Sequence, residues 1–443
     1  VRDLLITFFL LGSIPAILMR PYVGLVMWFV LAFLNPHQMA YGFVTTMPVA
    51  MLIGGSTLVG FVLFREPKRM PIDATTGMIM ALMVWITVTT LFALKPEGAW
   101  PDWDRAIKLL GMTLLMIPLL TNRQRLQGVI WAIVLSVDFY GIRGGVYTLT
   151  TAGGGRVLGP PNTMLEDNNQ LATALIMILP LIRYLQIQTE SRWVRLGLLA
   201  AMLLTTLSVF GSYSRGALIG LAVMFIWMFR SSRHKTTVAV AAIIGAIGLA
   251  LIMPASWYDR MNTIESYQQD GSATGRIDAW KFAFRLALER PLTGGGFRAY
   301  TDTPRFLELV PEAPHARAFH SIYFEALGEH GFVGLGIFLA VIALGLLKTA
   351  KLRKLTRDDP QRAWAYELAS MVQVCIVGYI VAGAFLELTF FDLFYAIVIM
   401  PTAATNILTC EDETERKPTP SGTEARHFLP ARLAESQDFN ATH

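Results

Sequence analysis

The chain has 443 residues, of which 54% are hydrophobic and only 16% charged, where a soluble globular chain carries about 25% charge. Mean hydropathy is +0.48 and apolar runs recur along nearly the whole length, which excludes a soluble enzyme and defines a polytopic helical membrane protein. The net charge of +5 comes from Lys and Arg scattered in short loops between apolar segments, a topogenic pattern and not a nucleic-acid surface. Cys375 and Cys410 supply neither a disulfide framework nor metal-ligand spacing.

In chain order, the segments apolar enough to cross or nearly cross a bilayer core of about 30 Å are 4–19, 22–34, 47–64, 75–93, 107–120, 127–140, 170–185, 196–210, 217–228, 236–253, 332–347, 365–386 and 390–407. Pro15 and Pro21 interrupt the first two, which form either one kinked crossing or a shallow hairpin, so about twelve crossings are expected. Residues 1–19 resemble a signal peptide in length. Asp3 follows Arg2, however, no small-residue cleavage site follows, and Arg20-Pro21 leads into further apolar sequence; the segment is expected to be retained.

Lys and Arg set the orientation. The loops 65–74, 121–126, 186–195, 229–235 and 348–364 carry sixteen between them and are expected in the cytoplasm. The alternate set, 35–46, 94–106, 141–169, 211–216 and 254–331, has lower basic density and faces outward, to the periplasm of a Gram-negative cell. The proline-bearing, charge-rich end of the chain reads as disordered. No repeat of 20 to 50 residues is present, which weakens a reading as an inverted-repeat transporter.

The outward stretch 254–331 is 78 residues long, too long for a connection and too short for a domain with a large core of its own. Within it, Ile277, Trp280, Phe284 and Leu288 recur at helical spacing and predict an amphipathic helix over 276–289, lying at the membrane surface. Gly294-Gly295-Gly296 follows, and a similar run, Gly153-Gly154-Gly155, precedes Arg156; each permits a tight turn or an anion contact, and the turn is the simpler explanation. His320 stands where loop becomes helix, about three turns outside the apolar run that opens at Phe332. It is placed either to take a proton from a polar substrate or to cap that helix. Three histidines, His315, His320 and His330, do not share a helix face or match a zinc triad, so no metal is expected. Arg215, in the six-residue turn Gly211-Ser212-Tyr213-Ser214-Arg215-Gly216, is on the wrong side for a topogenic charge. It needs an anionic partner, which a carboxylate, a lipid headgroup or a bound phosphate could provide. Ser214 lacks the glycine two residues earlier that a nucleophile elbow requires.

The order of these features resembles the O-antigen ligase and polymerase superfamily. It runs from the Ser214-Arg215-Gly216 turn to Thr274-Gly275-Arg276 opening a long outer loop, then Pro291-Leu292-Thr293-Gly294-Gly295-Gly296, His320-Ser321 and Gly331-Phe332-Val333-Gly334. Ser321 stands where that family more often has Asn. The chain is similar to lipopolysaccharide O-antigen ligases of the WaaL type over nearly its whole length to Leu408. Its N-terminal third, with Arg2-Asp3-Leu4-Leu5 and Asn35-Pro36-His37, is similar to O-glycosylation ligases associated with exosortase A systems.

The resemblance implies an all-α membrane bundle divided into an N-terminal part (1–253, about nine crossings), a periplasmic catalytic loop (254–331), C-terminal membrane helices (332–409) and a disordered cytoplasmic tail (410–443). It implies a glycosyltransferase of the bacterial inner membrane that needs no cofactor and no metal. The donor would be a glycan on undecaprenyl pyrophosphate, the acceptor a sugar hydroxyl of lipid A-core oligosaccharide, with membrane lipids as the other partners. His320 would be the base, and Arg215 and Arg276 would hold the pyrophosphate during a single inverting displacement. Asn162, Asp167 and Asn168 would bind sugar, and Arg156, Arg298 and Arg317 would contact phosphates. A polymerase with the same donor and a protein O-glycosyl ligase remain open. A lipid or glycan transporter would place ionisable groups at the membrane centre; here most candidates face outward, Glu387 at the outer end of the eleventh crossing being the exception.

Overall fold

The structure, a computed structural model, describes residues 2–63, 69–231, 245, 252–262 and 271–416. The expected crossing over 236–253 falls almost entirely outside them, as does the tail from 417 onward. The described residues form fifteen α-helices: α1 (Arg2–Met19), α2 (Pro21–Phe33), α3 (Val49–Leu63), α4 (Ala74–Leu91), α5 (Pro96–Leu119), α6 (Arg123–Thr150), α7 (Asn168–Gln188), α8 (Arg192–Gly211), α9 (Arg215–Ser231), α10 (Ala255–Asn262), α11 (Gly271–Glu289), α12 (Thr303–Leu309), α13 (Ile322–Thr356), α14 (Ala363–Ala382) and α15 (Asp392–Arg416).

Among the described residues, eight helices are long and apolar enough to cross a membrane, in place of the twelve crossings expected. The difference has local causes. α2 and α3 have only 13 and 15 residues, α9 has 17, and α5 carries Glu97, Asp102, Asp104, Arg105 and Lys108 before its apolar stretch. The first two apolar segments are separate helices, parted at Arg20 (φ −139°, ψ 85°), with Pro21 opening α2, where its missing N–H costs nothing. α5 and α6 reach beyond the apolar runs into the expected outward loops, because Pro96 starts the one and the other continues to Thr150. α15 continues to Arg416, past the point where the tail was expected to lose structure. Arg69 pairs with Glu413 at 2.5 Å, and Arg362 pairs with Asp412.

α7 is buried along almost its whole length from Leu171 to Leu185, as expected of a helix with apolar residues on every face at the centre of a bundle. It packs on α6, α8, α9 and α14. The basic loops gather at one end. There Asp73 caps α4 by accepting from the Thr76 N–H at 2.9 Å, and its other oxygen takes Lys348 Nζ at 2.8 Å and the Thr402 hydroxyl at 3.0 Å. α4, α13 and α15 are thus tied at that end. At the far end of α4, the Leu94 N–H donates to Gly295 O at 2.8 Å, where the segments expected to face outward collect.

α13 is broken at Gly331 (φ 69°, ψ −172°). The triple glycine is the other half of that break. Gly295 N–H donates to Gly328 O at 2.9 Å, Gly296 N–H to Glu329 O at 2.8 Å, and Phe332 N–H to Pro291 O at 2.9 Å. The carbonyls orphaned by the break are thereby satisfied, so Gly294-Gly295-Gly296 is a turn that terminates a half-helix. A Cβ on Gly331 would lie 2.4 Å from Leu292 O. Gly331→Ala therefore combines a clash with left-handed backbone strain, a class of strain worth about 1–3 kcal/mol; it is expected to lower the melting temperature in detergent. Gly336→Ala, where a Cβ meets nothing within 4 Å, is expected to leave it unchanged or raise it. Differential scanning fluorimetry on both variants checks this.

Candidate functional site

The turn that opens α9 is built by short polar contacts. Tyr213 adopts φ 59° and its hydroxyl donates to Gly153 O at 2.5 Å. Ser214 N–H donates to Ser212 Oγ at 3.2 Å, and Ser214 Oγ accepts from Ala217 N–H at 3.3 Å. Arg215 is consequently the first residue of α9, with the positive end of that helix beside it. The expected helix over 276–289 is α11. Ala279, Phe282, Ala283 and Leu286 form its buried face, whereas Ile277, Phe284 and Leu288 lie exposed, continuous in character with exposed Leu292 and Phe332. Three of the four residues of the apolar stripe read from the sequence are therefore exposed, whereas Trp280 is half-buried and turned toward Phe319 and Phe324.

Arg215 and Arg276 come together in one small cleft, which Asn169, Tyr213, Phe385 and Leu386 also line. His320 adjoins it at its Arg276 side. Its φ of 46° is in the region that side chains with a Cβ rarely occupy, and Ser321, not His320, stands at the N-cap of α13. Desolvation, then the charge of Arg276 and, further down, that of Arg317, hold the imidazole below the ordinary histidine pKa, while Asp167 pulls the other way. At neutral pH the ring is unprotonated, the form a general base needs.

The unusual backbone at His320 is held from outside. Glu387 Oε1 accepts the Phe319 N–H at 2.8 Å, and the Glu387 carboxylate also accepts from the His320 N–H. Trp280 Nε1 donates to Phe319 O at 2.9 Å and its ring stacks on Phe324 at 5.0 Å. In the reverse direction Glu325 Oε2, from the first turn of α13, accepts the Thr389 N–H at 3.0 Å and the Thr389 hydroxyl at 2.7 Å. Burial pushes the Glu387 carboxyl up to about 7, with the N–H groups of Phe319 and His320 and the charge of Arg298 pulling it back.

Other residues singled out from the sequence fall in several places. Asp167 caps α7 by accepting from Asn169 N–H at 2.8 Å. Asn168 is buried, and its amide donates to Ser212 O at 2.7 Å, so it braces the Arg215 turn instead of facing an open cleft. Arg317 lies over Gly275, where a Cβ would meet its guanidinium at 2.5 Å, and its Nε donates to His315 at 2.8 Å. Arg156 is exposed, carried beside the α9 turn by the Val157 N–H bond to Gly211 O at 2.9 Å. Arg298 and Asn162 belong elsewhere, to a cavity of about 730 Å³ that Glu387 shares. Arg298 forms a two-bond pair with Asp102 at 2.6 and 3.3 Å. Sequence reading passed over the cavity's Asp102, Glu325 and Glu329; the available signal was Glu325 and Glu329 one helical turn apart at the mouth of an apolar run.

Comparison with models of known families matches residues 1–190 to a family of unknown function (DUF5935) and residues 200–339 to the family described as O-Antigen ligase (Wzy_C). No curated protein matches the chain. Helix length and composition make the chain a multi-pass membrane protein, and a stretch of it is similar to the O-antigen ligase family. Arg215, Arg276 and His320 all lie within the matched stretch, 200–339.

Two outcomes are expected of the site. Because a nearby cation disfavours the imidazolium, the His320 imidazole should titrate below the ordinary histidine range in an NMR pH titration, and its midpoint should move upward in Arg276→Gln. Glu387→Ala leaves the N–H groups of Phe319 and His320 without their acceptor and should lower the melting temperature in detergent by several degrees, as the loss of buried hydrogen bonds requires.

Proposed function

We propose that the protein is an O-antigen ligase that transfers a polysaccharide from undecaprenyl pyrophosphate to a sugar hydroxyl of lipid A-core oligosaccharide at the periplasmic face of the inner membrane. The observation that carries this reading is the convergence of Arg215 and Arg276, from distant parts of the chain, in one cleft beside an unprotonated His320. The stretch 254–331, with the His320 loop within it, acts as the catalytic segment between the N-terminal bundle (1–253) and the C-terminal helices (332–409).

In the reaction the acceptor hydroxyl oxygen attacks the anomeric carbon and a new C–O bond forms. The bond from that carbon to the diphosphate oxygen breaks, and its electron pair leaves with the lipid diphosphate. The hydroxyl proton goes to His320. A guanidinium presents paired N–H donors that match phosphate oxygens, so Arg215 and Arg276 take up the charge that develops on the leaving group. Arg317 stands close enough to add to the same field. Attack opposite the departing diphosphate inverts the anomeric configuration, and the guanidinium charge lets transfer proceed without a divalent cation.

The test is transfer by the purified chain in detergent, with a lipid-linked glycan as donor and either lipid A-core or a second lipid-diphosphate glycan as acceptor. Transfer to lipid A-core that persists in EDTA is expected; elongation of the second lipid-linked glycan alone would make the protein a polymerase. His320→Ala should fold and bind donor yet lose about 10² to 10⁴ in rate. Arg215→Lys and Arg276→Lys should not restore activity to alanine variants of the same positions, because a point charge does not reproduce bidentate contacts. Full activity of either lysine variant, or near-normal transfer by His320→Ala, overturns the assignment. Orientation is checked separately in Cys410→Ser cells. Glu308→Cys should react with an impermeant thiol reagent from outside, and Lys351→Cys should not.

A further inference from the structure

Leu386 lines the arginine cleft, while Glu387 and Leu388 line the 730 Å³ cavity. One turn of chain is therefore the partition between two spaces of opposite character. The cavity is larger than the cleft and within the range of about 300–1,000 Å³ usual for small-molecule sites. Much of its wall comes from the region of unknown function, through Trp28, Asn35, Asp102, Arg105, Lys108 and Asn162. We infer that this cavity seats the uncharged, hydroxyl-rich sugar end of the acceptor, and that the N-terminal region supplies the wall that selects it. The inference rests on the ligase reading for the word acceptor, but the site itself stands on the cavity's chemistry.

The lining is acidic, and its cations are already engaged. Arg298 is held by Asp102, Lys108 pairs with Asp104 at 2.5 Å, and Arg105 faces the charges of Glu325 and Asp392. A phosphate or carboxylate entering here finds no cation without an acidic side chain already beside it. A neutral polyol finds in the carboxyl groups of Glu329, Glu387 and Asp392 partners for its O–H groups. It also finds aromatic surface from Trp28, Tyr300 and Phe390 for the apolar faces of its rings. The described carboxylates include no group of three His, Cys, Asp or Glu arranged to hold a metal ion.

An independent sign of a missing partner is Glu329. Only 4% exposed, it lines the cavity; its Oε1 accepts the Arg298 N–H at 2.8 Å, while its Oε2 has no hydrogen-bond partner. His330 Nε2, 3.9 Å from that oxygen, is likewise unpartnered. Buried polar atoms left without a bond are costly, and a hydroxyl arriving in the cavity is a group that can supply one.

The test uses the full chain in nanodiscs and two variants remote from the arginine cleft. Ala50→Trp fills the cavity from an exposed lining position on α3, and Asp392→Asn removes a carboxylate acceptor. Saturation-transfer NMR with a panel of neutral hexose and N-acetylhexosamine oligosaccharides should show binding that Ala50→Trp abolishes and Asp392→Asn weakens several-fold. The same oligosaccharides carrying a phosphate should bind at least about tenfold more weakly. In transfer assays both variants should raise acceptor KM about tenfold or more and leave donor KM within about twofold. Absence of neutral-sugar binding to the wild-type chain, equal binding of the phosphorylated sugars, or insensitivity to Ala50→Trp overturns the inference. Sugar binding that follows these expectations in a chain that transfers nothing would leave the cavity assigned and remove the ligase reading instead.

Discussion

A reciprocal pair of carboxylate contacts joins the start of α13 to the chain between α14 and α15. Glu387 holds the backbone of Phe319 and His320, and Glu325 holds Thr389 in return. Neither glutamate is on the segment it fixes, so the geometry of the His320 loop is a property of two membrane helices and the turn between them. A residue at φ 46° is unfavourable by itself; it persists because the surrounding hydrogen bonds specify it. Removing the clamp leaves the composition of the site intact and its arrangement undefined.

The same economy of polar contacts governs the two ends of the bundle. In the apolar middle, backbone groups must be satisfied within each helix, and the helices meet there through packed side chains such as those of α7 and α15. Apart from Asp138, which takes the Thr205 hydroxyl between α6 and α8, most polar chemistry gathers at the ends and is divided by use. At the basic end, Asp73 with Lys348 and Thr402, and Arg362 with Asp412, fasten helices to one another. At the opposite end, the break at Gly331 and the glycines that answer it let a long helix stop and restart, and that interruption brings Glu329 to the cavity wall.

Much of this was legible in the sequence where a single local signal sufficed. Charge density against apolar runs separated the two ends, the spacing of Ile277, Trp280, Phe284 and Leu288 marked α11, and Arg215, a cation in a short turn between apolar runs, pointed to the turn that opens α9. The extents of α5 and α6 were not legible, because polar residues at helix ends weaken an apolar run without ending the helix. Asn168 looked like a sugar ligand from its outward loop, and only the tertiary position of Ser212 shows that it braces a turn. Glu387 stood out as an ionisable residue at a membrane edge, but its partners are 67 and 68 residues earlier in the chain, a distance over which no sequence periodicity reports.

The exposed apolar stripe of α11, with Leu292 and Phe332 beyond it, has a consequence for how substrates arrive. In the proposed reaction, a helix with one face in the protein core and the other suited to acyl chains would act as a float, fixing the height of His320 relative to the lipid surface. Both substrates of the proposed reaction are anchored lipids, whose reactive ends travel at a depth set by their own tails. Matching those depths turns the encounter from a search through volume into one across a plane, in which lateral diffusion alone brings donor and acceptor to opposite sides of the same turn.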